Sequence, residues 1–253
     1  MQKIWVAPMR KAYADLHLCP NLRDLEKTSQ MISEASRLGY RLIGVTFPPN
    51  FADEEIQRLR NVSREAKIDL ASRVDLKPRT PSELIHNLRK LRRRFEIIAV
   101  LCESKSVARQ AAKDRRIDLL NFPSLDFRKR FFDKAEAELA SNSLASLEID
   151  MKPLLTLEGP ARIKLLSNLR REKEIAQSFH VPIVISSGIS DKALMRKPKE
   201  LAALASLFDL DESSALEAVS KNPLTIVKRN REKLSSKFVA PGIRIIRRGK
   251  DCE

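Results

Sequence analysis

Short apolar runs alternate along this chain with longer stretches in which apolar residues recur every three or four positions. Tyr13–Leu18, Arg41–Phe47, Ile68–Asp75, Glu96–Leu101, Ile117–Asn121, Ser146–Ile149 and Pro182–Ser186 read as strands. Two of these regions hold unbroken apolar runs, Ile97-Ile98-Ala99-Val100-Leu101 and Val181-Pro182-Ile183-Val184-Ile185, which suits strands buried on both faces of a parallel sheet. Helical spacing runs through Asp24–Leu38, Asp53–Ala66, Ser104–Lys113, Arg128–Ala140, Ala161–Ser178, Lys199–Phe208 and Asp211–Ser220, and from Pro223 to about Leu234. A further helix opens at Pro81, with Leu84, Ile85, Leu88 and Leu91 on one face and Arg89, Lys90, Arg92 and Arg93 on the other. Thr80 stands as its N-cap, with Glu83 three residues on.

Strand–helix units in this order, with no Gly/Ser-rich linker, internal repeat or low-complexity segment, predict one continuous α/β domain. A TIM-like (β/α) barrel over residues 1–237 fits the length, about 250 residues being typical. A doubly wound open sheet is the alternative. Residues 238–253, with Arg244, Arg247, Arg248, Lys250 and Pro241-Gly242, read as a basic tail, mobile or held by a partner.

Charge sharpens this picture. The 253 residues include 48 Lys+Arg against 33 Asp+Glu, a formal charge of +15, but only three His and six Gly. Such a field attracts polyanions, while the scarcity of His and Gly removes most of the equipment for phosphate chemistry. A charged fraction of 32% can also mark heat adaptation, but that would balance the signs. Cys19, Cys102 and Cys252 form neither a disulfide framework nor a zinc spacing, and fit a reducing cytosol. The opening Met1–Lys11 is too short for a signal peptide, and no run approaches the ~20 apolar residues that span a bilayer. A soluble protein without membrane contact is expected.

Candidate chemistry is sparse. Period-two alternation puts Asp15, His17 and Cys19 on one face at the end of the first strand, where Asp15 and His17 could hold a metal or pair with each other as a strand-end hydrogen bond. Asp75, Glu148, Asp150 and Asp191 are the carboxylates available to complete a metal site; His86 and His180 sit in helical contexts. Gly39-x-x-x-x-Gly44 lacks the following Lys of a phosphate loop, so Gly39 reads as a helix C-cap and Gly44 as a strand residue. No elbow surrounds Ser186 or Ser187, and no His is placed to activate them. What remains is basic: Arg92-Arg93-Arg94, Arg115-Arg116, Arg128-Lys129-Arg130, Arg170-Arg171, and Lys192 with Arg196-Lys197 and Lys199. Several lie near strand–helix junctions, so part of the set is expected to converge on one side of the barrel. With aromatics at 5%, folded RNA read through backbone and shape fits better than stacked single strands.

Four segments, in order, carry a family resemblance: Ala14-Asp15-Leu16-His17-Leu18-Cys19-Pro20; Asp114-Arg115-Arg116-Ile117-Asp118-Leu119-Leu120-Asn121-Phe122-Pro123; Ser186-Ser187-Gly188-Ile189-Ser190-Asp191 with Met195-Arg196-Lys197-Pro198-Lys199-Glu200-Leu201; and Val219-Ser220-Lys221-Asn222-Pro223-Leu224 with Ile226-Val227. Together the chain resembles the protein component 3 family of ribonuclease P, the barrel subunit of archaeal and eukaryotic forms. The resemblance implies a non-catalytic subunit that binds and stabilises a catalytic RNA, which removes the 5′ leader of precursor tRNA with Mg2+. It implies no cofactor on the protein itself, a small protein partner of RNA-recognition-like fold, with a heterotetramer as one arrangement, and a cytoplasmic location, or a nuclear one if the source is eukaryotic. It also implies RNA contacts at Arg109, Arg128 and Arg196, beside the clustered Arg115, Arg116, Lys192, Lys197 and Lys199. The family is distantly similar to the metal phosphoesterases of the polymerase and histidinol phosphatase superfamily. Those carry paired histidines on the first strand; here Asp15 and His17 stand there and the rest are missing. A metal-dependent phosphoesterase using Asp15 and His17 is therefore the competing expectation.

Overall fold

The computed structural model describes residues 12–122, 130–240 and 243–245. Seven parallel strands pair in sequence order: β1 (Tyr13–Leu18), β2 (Tyr40–Thr46), β3 (Asp69–Leu76), β4 (Ile97–Leu101), β5 (Leu119–Asn121), β6 (Ser146–Asp150) and β7 (Ile183–Ser186). Between them lie α1 (Leu25–Leu38), α2 (Asp53–Glu65), α3 (Pro81–Leu91), α4 (Lys105–Lys113), α5 (Lys134–Ser141), α6 (Lys152–Thr156) and α7 (Gly159–Ser178). After β7 come α8 (Pro198–Leu204), α9 (Glu212–Ala218) and α10 (Lys221–Leu234).

The sheet curls into a nearly closed barrel, as the alternation of strands and helices predicts, and the open-sheet alternative falls away. β7 meets β1 only at a bridge between Leu18 and Ile189, where Cys19 N donates to Ile189 O at 2.8 Å and Gly188 N to His17 O at 3.0 Å. Nearer the start of β1, Ala14 N donates instead to Val219 O at 2.9 Å, just ahead of α10. The last helix runs from there across the N-terminal mouth, where Asn222 Nδ2 donates to Ile183 O at 2.8 Å and Asn230 Nδ2 to Glu96 O at 2.8 Å. Its Ile226 and Val227 join Ala14, Leu16, Leu42, Ala71, Ile97, Ala99, Leu119 and Val184 in the barrel lumen. A seven-stranded barrel has a narrow interior, which these side chains fill. The larger apolar layer lies between the strands and the surrounding helices.

Local signals behave as their chemistry requires. Thr80 Oγ1 accepts from Glu83 N at 3.2 Å, and Pro81 starts α3. Gly39 takes φ 100° and its N–H caps α1 at Ala35 O and Ser36 O. Two expectations need correction. The helix expected from Arg128 begins at Lys134, because Asp133 caps it by accepting from Glu136 N; residues 128 and 129 lie outside the described set. His180 is in a turn beyond α7 with φ 57°, not in a helix. The start of the basic tail pairs as an antiparallel ribbon, β8 (Phe238–Ala240) with β9 (Ile243–Arg244); Arg247, Arg248 and Lys250 lie outside the described residues. Among the described residues no helix is long and apolar enough to cross a membrane.

Candidate functional site

Parallel strands bring all their C-terminal ends to one mouth of a barrel, where such folds place chemistry. Here that mouth contains a closed polar network. Ala71 lines the lumen, so Arg73 and Asp75, two and four residues further along β3, face inward above it. Arg73 is completely buried. Its Nη1 and Nη2 grip Glu148 at 2.5 and 2.7 Å, its Nε reaches Asp75 at 2.6 Å, and Nη1 also donates to Leu16 O at 2.9 Å. Glu148 further accepts from Ser186 Oγ at 2.7 Å and Asn121 Nδ2 at 2.9 Å. Above this layer, His17 Nδ1 lies 2.7 Å from Asp150 Oδ1 and Nε2 3.1 Å from Asp75 Oδ2.

Electrostatics follow from this packing. Burial and the Arg73 cation push the His17 imidazole down, but Asp150 and Asp75 push harder and hold it well above the ordinary histidine range. Burial opposes ionisation of Asp75 and Asp150, yet Arg73 and His17 outweigh it and hold both below the usual carboxylate range. Burial likewise works against the Arg73 charge, and Asp75 and Glu148 overcome it.

The expected partnership of Asp15 with His17 does not form in the way the alternation suggests. Asp15 pairs with Ile43 and Leu18 with Val45, so three steps along β1 match two along β2. This bulge inserts one residue and breaks the two-residue period. Asp15 follows the outward register of Ile43, which belongs to the layer beneath the helices, while His17 turns into the lumen. Asp15 accepts instead from Ser187 N at 3.0 Å and from the His17 backbone N at 3.1 Å, and burial raises its pKa. Cys19 Sγ rests 3.9 Å from Thr46 Oγ1, and Asp191 is an exposed cap of the turn Lys192–Leu194. Ser186 and Ser187 are both bonded in place, the second to His17 O at 3.2 Å.

A divalent cation fits this set poorly. His17, Glu148 and Asp150 each offer an atom within 4.8 Å of the others. However, both imidazole nitrogens face carboxylates, and Glu148 already accepts from a guanidinium, a hydroxyl and an amide. Arg73 supplies the internal positive charge that a metal would bring, and Asp15 is on the other face of the strand. Arg73 is the residue that sequence reading missed. A lone Arg in a strand buried on both faces must have a buried partner, and that requirement was a usable signal.

The basic candidates separate into two groups. Lys192, Arg196, Lys197 and Lys199 follow β7 and gather at the C-terminal mouth. Lys192, Lys197 and Lys199 are exposed; Arg196 Nη1 bonds the carbonyls of Ala193 and Met195, and its own carbonyl accepts from Tyr40 Oη at 3.0 Å. Arg115 and Arg116 precede β5 and lie at the opposite mouth, so part of the basic set shares the C-terminal side and these two do not. Arg116 is held by Asp114 at 2.6 and 2.8 Å, whereas Arg115 is exposed. Arg109 binds Asp133 at 2.9 Å and stands 3.1 Å from Glu136, whose carboxyl burial raises to about 7. Arg130 is buried against Glu172 and Phe122 O, and Arg128 lies outside the described residues.

Comparison with known proteins gives a consistent result. The family model described as RNase P subunit p30 matches residues 12–235. Ribonuclease P protein component 3 of Methanosarcina barkeri is 31% identical over 227 residues, covering 89% of this chain and 92% of that protein. Its namesake in Methanosarcina acetivorans is 32% identical over 173 residues, 68% of this chain and 71% of the relative. A chain in the cryo-EM structure of archaeal ribonuclease P with mature tRNA shares the fold, with a TM-score of 0.81 at 22% identity over 93% of this chain and 99% of that one.

Proposed function

The chain belongs to the RNase P subunit p30 family, and on that premise we propose that it serves ribonuclease P as a protein subunit that binds and stabilises the catalytic RNA and owns no reaction centre. The observation that carries the second half is Arg73. Its guanidinium brings a fixed positive charge to the C-terminal mouth, where a barrel phosphoesterase needs an exchangeable cation, and its bonds take up Glu148 and one oxygen of Asp75, while Asp150 is engaged by His17 and Asn121. The cluster is then a structural tie between β1, β3, β5, β6 and β7. Mg2+ acts with the RNA, which removes the 5′ leader of precursor tRNA.

The net charge of +15 supplies the affinity, and Lys192, Arg196, Lys197 and Lys199 are the contact group at the C-terminal mouth. Arg196 contributes planar, bidentate donors for phosphate, and the lysines contribute compact charge. A small protein of RNA-recognition-like fold completes the assembly, in a heterotetramer, in the cytoplasm.

The test is reconstitution of leader removal with all subunits. Changing Lys192, Arg196, Lys197 and Lys199 together to Ala should weaken RNA binding and flatten its dependence on salt by about 0.7–0.9 per lost phosphate contact. Cleavage at low subunit concentration should fall, with the melting temperature unchanged. Wild-type binding and cleavage by that variant would refute the assignment. Phosphoester turnover by the RNA-free chain, abolished by His17→Ala, would refute the absence of a reaction centre.

A further inference from the structure

The opposite end of the barrel carries a second concentration of positive charge. There, Asp118 is 2% exposed and is gripped by Arg92 at 2.6 Å and Arg229 at 2.8 Å, with Asn230 Nδ2 also bonded to it at 2.8 Å. Carbonyls fix both guanidinium groups further: Arg92 donates to Arg116 O at 3.2 Å and Arg229 to Leu144 O at 3.4 Å. Lys233 follows Arg229 by one turn of α10. Arg93 and Arg115 are exposed, with no hydrogen-bond or ion-pair partner among the described residues.

Arg92 and Arg229 thus hold Asp118, Lys233 and Arg115 lie close enough to act on one another, and Arg93 stands in the turn after α3 beside Arg92: five cations in this sector against one carboxylate. Helix dipoles explain only part of this. The C-terminal ends of α3, α4 and α10 lie here, and each is worth roughly half a negative charge. With Asp118 they leave the excess positive. Burial together with Arg229, and less strongly Arg92 and Arg115, holds the Lys233 ammonium below the ordinary lysine range, with Asp118 offsetting part of the shift. The neighbouring sector of the same mouth behaves differently. There Arg60 and Arg231 are answered by Glu96 and Asp69, at 2.5–2.8 Å. The excess is therefore local, not a general property of this end.

We propose that this sector of the N-terminal mouth is a second RNA-binding face, which takes the phosphate backbone of a segment distinct from the one held at the C-terminal mouth. One chain then clamps two RNA segments across the barrel. The chemistry favours phosphate: two guanidinium groups are preorganised by carbonyl bonds, and three further cations have no hydrogen-bond or ion-pair partner among the described residues. The named residues include no aromatic, so bases have no stacking platform and backbone recognition is what remains. This inference rests on the subunit reading above.

Two triple variants separate the inference from that reading. One changes Arg93, Arg115 and Lys233 to Ala; the other changes Lys192, Lys197 and Lys199 to Ala. None of the six has an ion-pair partner among the described residues, so both should fold with wild-type melting temperatures. Each full-length variant is assembled with the other protein subunits on the ribonuclease P RNA, and affinity is measured against salt alongside a backbone-cleavage footprint. Each triple should reduce the slope of log K on log salt by about 2, at roughly 0.7 per contact. Each should also expose a different RNA segment, and the combined variant should add the two effects. If only the C-terminal triple changes slope and footprint, the second face is refuted and the subunit reading stands. If neither does, that reading fails too. Exposure of the same segment by both triples would refute the clamp. Loss of protein–protein assembly with RNA slopes intact would reassign the face to an acidic partner and overturn the proposal.

Discussion

Arg73 has no exposed surface, and its neighbours set what it does. Its planar fork matches Glu148 in a bidentate pair, with donors left for Asp75 and the Leu16 carbonyl, a geometry lysine cannot reproduce. Removing one partner of a buried ion pair strands the other charge, which costs about 3–5 kcal/mol. Arg73→Met should therefore lower unfolding free energy by that order in chemical denaturation, and adding Glu148→Gln should return part of the loss because the two sites are coupled. Equal stability of the single variant and wild type would show that the network contributes nothing. His17 adds a pH dependence. Its folded pKa is raised, so its contribution is complete below the ordinary 6.5 and is lost as pH rises through the folded value. Asp75 and Asp150 have the opposite sign: their contribution is complete above the ordinary 3.8 and is lost as pH falls through their lowered values. The melting temperature should decline on the alkaline side, and His17→Asn should flatten that limb in a series from about pH 6 to 10. An unchanged alkaline limb in the variant would rule out His17 as its source.

At the scale of elements, β1 depends on its neighbours for its shape. The bulge that turns His17 inward also pushes the Leu16 carbonyl toward β2, where a Cβ on Gly44 would lie 2.4 Å from that oxygen. Gly44→Ala sets backbone against backbone, so it should destabilise by roughly 1–3 kcal/mol, the usual cost of overpacking. Thermal melts of the variant check this, and a wild-type melting temperature would mean that the strands can part without loss. Gly188 has a related role, with φ 65° and the Asp150 carboxyl 2.8 Å from where a Cβ would sit. Strand positions were legible because each apolar run is bounded by polar turns; Tyr13–Leu18 is found where the pattern puts it. The bulge was not legible, because register is a property of two strands. The start of α5 was misplaced for a different reason. Asp133, a strong N-cap, lies inside a stretch whose periodicity alone extends the helix to Arg128.

For the molecule as a whole, parallel strand direction sorts charge. Basic residues that follow strands collect at one mouth and those that precede strands at the other, so Lys199 and Arg115 cannot share a surface although both lie in basic runs. Pairing then decides which charges remain for a partner. Arg116 and Arg109 are answered by Asp114 and Asp133, while Arg93 and Arg115 stay exposed. Composition, periodicity and motif order sufficed for the barrel class, the excess of cations and the family resemblance, because each is a sum over local features. Only the tertiary structure determined that an arginine neutralises the carboxylates of the C-terminal mouth, that Asp15 and His17 lie on different faces, and that the basic residues form two groups. Those outcomes depend on which side chains meet across a lumen, and such contacts join strands far apart along the chain.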